Sequence, residues 1–182
     1  IRDSDMRERG VLAGDTVVST VMCNFGFVRA MKEMGINVVQ TKVGDRYVLE
    51  AMREHGYSIG GEQSGHMILL DHNSTGDGLM TACQFLAAVI RSGKPVAEAI
   101  QVMEKMPQTL INVRVNDKHA VEDSAEVAAA VASAEEALGE DGRVLLRPSG
   151  TEPVVRVMVE AVDPAAAQAH AEAIAAVVEA CV

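Results

Sequence analysis

Thr16-Val-Val-Ser-Thr-Val-Met22, the helical run from Asn24 to Met34, and Ile36-Asn-Val-Val-Gln-Thr41 decide the fold. The two outer segments are β-branched and apolar, which suits strands, and the segment between them repeats its apolar residues at helical spacing. The chain therefore opens as a βαβ unit. Working outward, a helix is expected from about Asp45 to His55 and a strand over Tyr57 to Gly60. The glycine-rich loop Gly60-Gly-Glu-Gln-Ser-Gly-His66 follows, then a strand over Met67 to Asp71. The polar run Asn73-Ser-Thr-Gly-Asp-Gly78 offers N-caps for a helix reaching about Arg91, and a short helix starts after Pro95.

Beyond Pro107 the character changes. Strands are expected over Thr109–Val115, Arg143–Leu146 and Val154–Ala161, with an Ala-, Val- and Glu-rich helix from about Ala120 to Leu138 and a terminal helix from about Pro164 to Ala180. The fold class read from this order is α/β. A mixed α/β domain over residues 1–105 precedes a smaller α+β domain, a sheet with two helices, over residues 106–182.

Composition narrows the function. The 182 residues are 48% hydrophobic with 3% aromatics and no Trp, enough for one medium core or two small ones packed from aliphatic side chains. A net charge of −10 argues against a nucleic-acid partner, which needs clustered Lys and Arg to displace counterions. Cys23, Cys83 and Cys181 form no C-x-x-C pair, so neither a disulfide framework nor a zinc site is expected and a reducing cytoplasm fits best. No apolar run approaches the roughly 18 residues of a membrane span, and the start is no signal peptide. The absence of an initiator Met points to a fragment.

Two loops carry residues suited to contact rather than packing. In the first, glycines around Glu62 and Ser64 let backbone approach a ligand, while a carboxylate and a hydroxyl match vicinal sugar hydroxyls. The same residues suit a tight turn between strands with Glu62 merely exposed. In the second, Arg147-Pro-Ser-Gly-Thr-Glu-Pro153, a guanidinium fork joins the hydroxyls of Ser149 and Thr151 and the backbone N–H groups freed by Gly150. This reads as a phosphate cradle, with a Ser/Gly/Pro hairpin bearing an exposed Arg as the alternative. Arg156, in the following strand, points either back to the loop or outward. Asp45 and Arg46 sit where a strand end turns into a helix and could reach a crevice at the carboxyl edge of the sheet, although Asp45 also reads as an ordinary N-cap. His66 is either a ligand contact or a satisfied structural residue.

Taken together, Val43-Gly-Asp-Arg-Tyr-Val48, Gly60-Gly-Glu-Gln-Ser-Gly-His66, Asn73-Ser-Thr-Gly-Asp-Gly78 and Arg147-Pro-Ser-Gly-Thr-Glu-Pro-Val-Val-Arg156 resemble the α-D-phosphohexomutase superfamily, and within it the phosphoglucosamine mutase branch. The resemblance runs from about Asp5 to Ala180 and corresponds to the third and fourth of that family's four domains. It implies sugar recognition by Gly61, Glu62, Ser64, His66, Asp45 and Arg46, and phosphate binding by Arg147, Ser149, Gly150, Thr151 and Arg156. Where the mannose/glucose branch carries a Lys and a His near the reacting hydroxyl, this chain has Met22 and Asp45, which favours the glucosamine branch and leaves the general acid/base unassigned.

The implied reaction interconverts glucosamine 6-phosphate and glucosamine 1-phosphate through a glucose- or glucosamine-bisphosphate intermediate, supplying UDP-N-acetylglucosamine and cell-wall precursors. The phosphoserine and the Mg²⁺ loop of the family belong to its first two domains, so this chain is expected to hold no metal and no catalytic residue. On its own it is expected to be inactive, with the N-terminal domains of the same protein as its partner. Asp3-Ser-Asp5 looks like a metal-loop remnant but lacks a third carboxylate in register. Alternatives are a phosphomannomutase or phosphoglucomutase fragment and a non-catalytic sugar-phosphate-binding module.

Overall fold

The computed structural model describes residues 1–181, the side chains at 118 and 119 excepted. The described residues fall into two compact units, Ile1–Lys105 and a second beginning at Met106.

In the first unit, helix α1 (Arg2–Glu8) leads into β1 (Thr16–Thr20), α2 (Phe25–Glu33), β2 (Asn37–Thr41), α3 (Asp45–His55), β3 (Ile59–Gly61), β4 (Met67–Leu69), α4 (Gly78–Ser92) and the single turn α5 (Val96–Ala99). The sheet order is β2-β1-β3-β4, with β1 parallel to both neighbours and β4 antiparallel to β3. Strand alternation divides the core. Val17, Ile59 and Leu69 pack with Met6, Ala30 and Met31 on one face, while Val18 and Ile68 pack with Val48 and Met52 of α3 on the other. The chain thus crosses from one side of β1 to the other between β2 and β3. Loops leaving the carboxyl ends of β1, β2 and β3 gather at one edge, the place where open α/β sheets form crevices.

Caps follow local chemistry. Asn24 accepts from the Gly26 N–H at 3.0 Å to start α2, and Asp77, from the polar run, accepts from the Met80 N–H at 2.9 Å to start α4. Asp45 differs from expectation: Gly44 is the N-cap of α3, and Asp45 is its first residue.

Helix α1 was not anticipated from the sequence, because only Met6 marks an apolar face and Asp3-Ser-Asp5 resembles a metal-loop remnant. Its anchor is ionic. The Asp5 carboxylate accepts from Arg91 of α4 at 2.6 and 2.7 Å and from Arg2 at 2.8 Å, with Arg9 at 3.5 Å. Only 10% of the Asp5 side chain is exposed while Arg91 reaches solvent, and this bidentate pair ties α1 to α4.

In the second unit, β5 (Gln108–Arg114), α6 (Lys118–Glu122), α7 (Ala125–Leu138), β6 (Gly142–Pro148), β7 (Val154–Ala161) and α8 (Pro164–Ala180) form a three-stranded antiparallel sheet, order β5-β7-β6, with helices on one face. Val113, Val155, Val157, Val159 and Val144 meet Val127, Leu138, Ala171, Ile174 and Val178 across that face. This is the α+β arrangement read from the sequence. One helix is corrected: the run from Ala120 to Leu138 is two helices. The Ser124 hydroxyl accepts from the Val127 N–H at 3.3 Å and starts α7 afresh. Among the described residues no helix is long and apolar enough to cross a membrane.

Candidate functional site

The loop after β3 is folded on its own backbone. The Glu62 N–H donates to the His66 carbonyl at 2.8 Å and the Gly65 N–H to the Glu62 carbonyl at 3.0 Å, closing a turn between β3 and β4. Glu62 then reaches sideways. Its Oε1 accepts from the Gly44 N–H at 2.9 Å, which joins the loop after β3 to the loop after β2 and leaves Oε2 for another donor. Gly44 adopts φ 131°, open to glycine and strained for other residues, and this conformation accompanies the N–H that reaches the carboxylate.

Gly61, Glu62 and His66 line a cleft of about 430 Å³ together with Val18, Ser19, Gly60, Cys23 and Phe27. Ser64 and His66 line a neighbouring cleft of about 800 Å³ that runs to Asp77 and Gly78 at the start of α4. His66 therefore stands at the border of both. Its Nδ1 lies 3.4 Å from Asp45 Oδ2, a long pair that brings the first turn of α3 to the same place. On its other side the ring lies against Gly76, where a Cβ would overlap Cδ2 and Nε2.

Arg46 is brought near this edge but turned along its helix. Its guanidinium donates to Glu50 Oε1 at 2.8 Å, one turn on, and this bond raises the Arg46 pKa further above its usual value.

In the second unit, residues 149–153 connect β6 to β7 as a hairpin loop. The Ser149 N–H donates to the Val154 carbonyl at 2.9 Å, and the Glu152 N–H donates to the Ser149 hydroxyl at 3.2 Å. Ser149 is buried and turned into the loop, whereas Gly150 and Thr151 are exposed at its tip. Arg147 and Arg156 are direct partners in the β6–β7 register, so both guanidinium stems leave the face opposite the helices. Arg156 points back to the loop, its Nη2 donating to Glu152 Oε2 at 3.1 Å. Among the described residues the Arg147 guanidinium has no hydrogen-bond or ion-pair partner.

Gly44, Gly76 and Asn112 lie outside the sequence expectation. Asn112 is the register partner of Arg156 on β5, which puts Asn112, Arg156 and Arg147 in one row across the sheet. Alternation along β5 was the available signal, since Asn112 interrupts an otherwise apolar run Leu110-Ile-Asn-Val113.

The family's magnesium does not fit the residues present. Among the described residues no group of three or more Asp, Glu, His or Cys side chains converges, and Asp5 of the Asp3-Ser-Asp5 remnant already accepts from Arg2 and Arg91.

Comparison with known proteins agrees with this architecture. Residues 3–106 match the model of phosphoglucomutase/phosphomannomutase alpha/beta/alpha domain III, and residues 110–177 match the C-terminal domain of the same family. A protein named phosphoglucosamine mutase from Frankia alni is 58% identical over 175 residues, covering 96% of this chain and 38% of the relative. One of the same name from Bacillus subtilis is 54% identical over 156 residues, covering 86% and 35%. The chain thus spans less than two fifths of the length of these two curated relatives.

Among solved structures, Aspergillus fumigatus N-acetylphosphoglucosamine mutase in complex with GlcNAc-6P and magnesium superimposes with a TM-score of 0.75 at 21% identity, over 98% of this chain and 41% of that one. A phosphoglucomutase/phosphomannomutase family protein from Burkholderia thailandensis gives 0.73 at 25% identity, over 99% and 41%. With both matched segments in family order on the fold described above, the chain belongs to the phosphoglucomutase/phosphomannomutase family and carries its domain III and its C-terminal domain.

Proposed function

We propose that the chain is the carboxy-terminal part of a phosphoglucosamine mutase, the isomerase that interconverts glucosamine 6-phosphate and glucosamine 1-phosphate in the cytoplasm. The observation carrying this reading is the identity of 54 to 61% to curated relatives of that name across 86 to 96% of this chain. Substrate choice within the family rests on those relatives, since the fold is common to its glucose, mannose and glucosamine members.

In this reading the two loops hold the substrate and do not react with it. Glu62, fixed through one oxygen by Gly44, presents the other to a sugar hydroxyl, with Gly61, Ser64, His66, Asp45 and Arg46 around it. Arg147 and Arg156, with the exposed N–H and hydroxyl groups of Gly150 and Thr151, take the phosphate, and buried Ser149 sets the shape of their loop. A bound anion would sit between two guanidinium groups that otherwise repel, which favours its capture. Holding the sugar phosphate in one orientation converts a bimolecular transfer into a positioned one.

Phosphoryl transfer itself belongs, on this reading, to a phosphoserine and a Mg²⁺ site in the part of the longer protein outside this chain, and the bisphosphate is the intermediate exchanged there. The test is a coupled assay. The chain alone should show negligible turnover, and the same chain within its full coding sequence should convert glucosamine 6-phosphate faster than mannose 6-phosphate or glucose 6-phosphate. Preference for either of the other two sugars would move the assignment to another branch of the family, and turnover by the isolated chain would refute the division of labour.

A further inference from the structure

We propose that Gly76 is a positioning residue for His66, the glycine being required there by the imidazole beside it and not by backbone conformation. The proposal rests on the sugar-binding reading of the cleft for its consequence, and on geometry alone for its premise.

His66 lies at the border of two clefts and is touched from two sides. Asp45 Oδ2 approaches Nδ1 at 3.4 Å, which favours the ring proton on that nitrogen and leaves Nε2 as the acceptor. Gly76 covers the opposite edge so closely that any Cβ there would overlap Cδ2 and Nε2. Gly76 shows no positive φ, unlike Gly44 or Gly65, so the backbone itself would accept alanine. What excludes a side chain is the ring. The Cβ of Gly78, two residues on, would meet nothing within 4 Å, so the requirement is local to one residue of the Thr75-Gly-Asp-Gly78 segment that leads into α4.

The carboxylate and the glycine together hold the imidazole as a slot holds a plate. A methyl at residue 76 would push the ring toward Asp45 or out into the cleft. A rotation of that kind changes where Nε2 is offered to a ligand without altering any residue that touches the ligand, and misplacement by about 1 Å is enough to matter.

The test uses the 182-residue chain with ¹³C-labelled histidine. In Gly76→Ala the His66 ring cross-peaks should move while those of His55, at the far end of α3 from Asp45, stay in place, and glucosamine 6-phosphate affinity should fall on the order of tenfold. Gly78→Ala, whose Cβ would meet nothing within 4 Å, should leave the His66 ring signals at the parent positions. Because Gly76→Ala could destabilise the fold, the double variant Gly76→Ala/His66→Ala is included. Removal of the ring should restore most of the stability lost in the single variant, an interaction energy visible in a double-mutant cycle.

Unchanged His66 signals in Gly76→Ala, or an equal stability loss with and without the imidazole, would overturn the proposal. Ring signals that move in a chain that binds no sugar phosphate would sustain the clamp and count against the sugar-binding reading instead.

Discussion

Arg147 of β6 and Arg156 of β7 are direct cross-strand partners, two like charges side by side on the face of the sheet that carries no helices. Glu152 offsets Arg156 at 3.1 Å, and among the described residues nothing offsets Arg147. Like charges directly opposite destabilise a ladder by a few tenths to about 1 kcal/mol, so this pair should gain from an anion between them. Thermal melts at constant ionic strength should show a higher Tm in phosphate than in chloride. Arg147→Gln should lose most of that difference and be no less stable than the parent in chloride alone. Equal phosphate stabilisation in parent and variant would remove Arg147 from the anion site.

Glu62→Gln keeps the shape of the side chain, and its amide oxygen can still accept from Gly44, while the charge offered to the cleft is gone. Glu62→Ala loses both. The first substitution should weaken sugar binding with little change in stability. The second should also cost about 1 kcal/mol, the ordinary worth of one hydrogen bond. Denaturant unfolding read beside ligand titration separates the two effects, and equal stability losses in both variants would show that the Gly44 bond contributes nothing.

Asp5 gives a pH signature. The hydrogen bond from Arg91 comes first among the causes that hold its carboxyl below the usual carboxylate range, with the charges of Arg91, Arg2 and Arg9 adding to it against the cost of burial. A depressed folded-state pKa contributes stability that is fully present above the unfolded value of about 3.9 and is lost as pH falls through the folded value. Asp5→Asn should therefore be less stable than the parent at neutral pH, by an amount that screening of the solvent-facing Arg91 and Arg9 holds to about 1 kcal/mol. The gap should close as pH drops below about 4. A gap that persists unchanged at low pH would mean that the carboxylate charge is not what ties α1 to α4.

Ile174 of α8 is fully buried among Val155, Val157 and Val159 of the sheet. Ile174→Ala should cost about 2 to 5 kcal/mol in the unfolding of the second unit, transfer and cavity terms together. A loss under about 1 kcal/mol would show the helix layer to be loosely packed.

Much of this fold is legible in the sequence because its strands are short β-branched runs bounded by turn residues. Val17 and Val18 are both apolar because helices cover both faces of β1, a pattern that leaves few alternatives to a central strand. Helix α1 was hidden because its attachment is an ionic one to Arg91, 86 residues away, with only Met6 as apolar signal. The break at Ser124 was hidden because Ala120-Val-Glu122 continues the apolar and acidic pattern of the Ala-rich run after it, and only the cap hydroxyl marks the restart. At the candidate site the sequence marks Glu62 and Arg147 through their glycine and proline surroundings. It says nothing of Gly44, whose N–H meets a carboxylate 18 residues on, or of Gly76, whose importance depends on a ring ten residues earlier.

The most direct measurement is a heteronuclear NMR titration of the chain with glucosamine 6-phosphate, run beside glucosamine and inorganic phosphate. A dissociation constant near millimolar is expected, about −4 kcal/mol, since clefts open to solvent enclose little of a ligand. Glucosamine should move residues 60 to 66, phosphate should move residues 147 to 156, and glucosamine 6-phosphate should move both sets. Shifts from the sugar phosphate that spare both loops, or that gather elsewhere on the surface, would contradict the assignment.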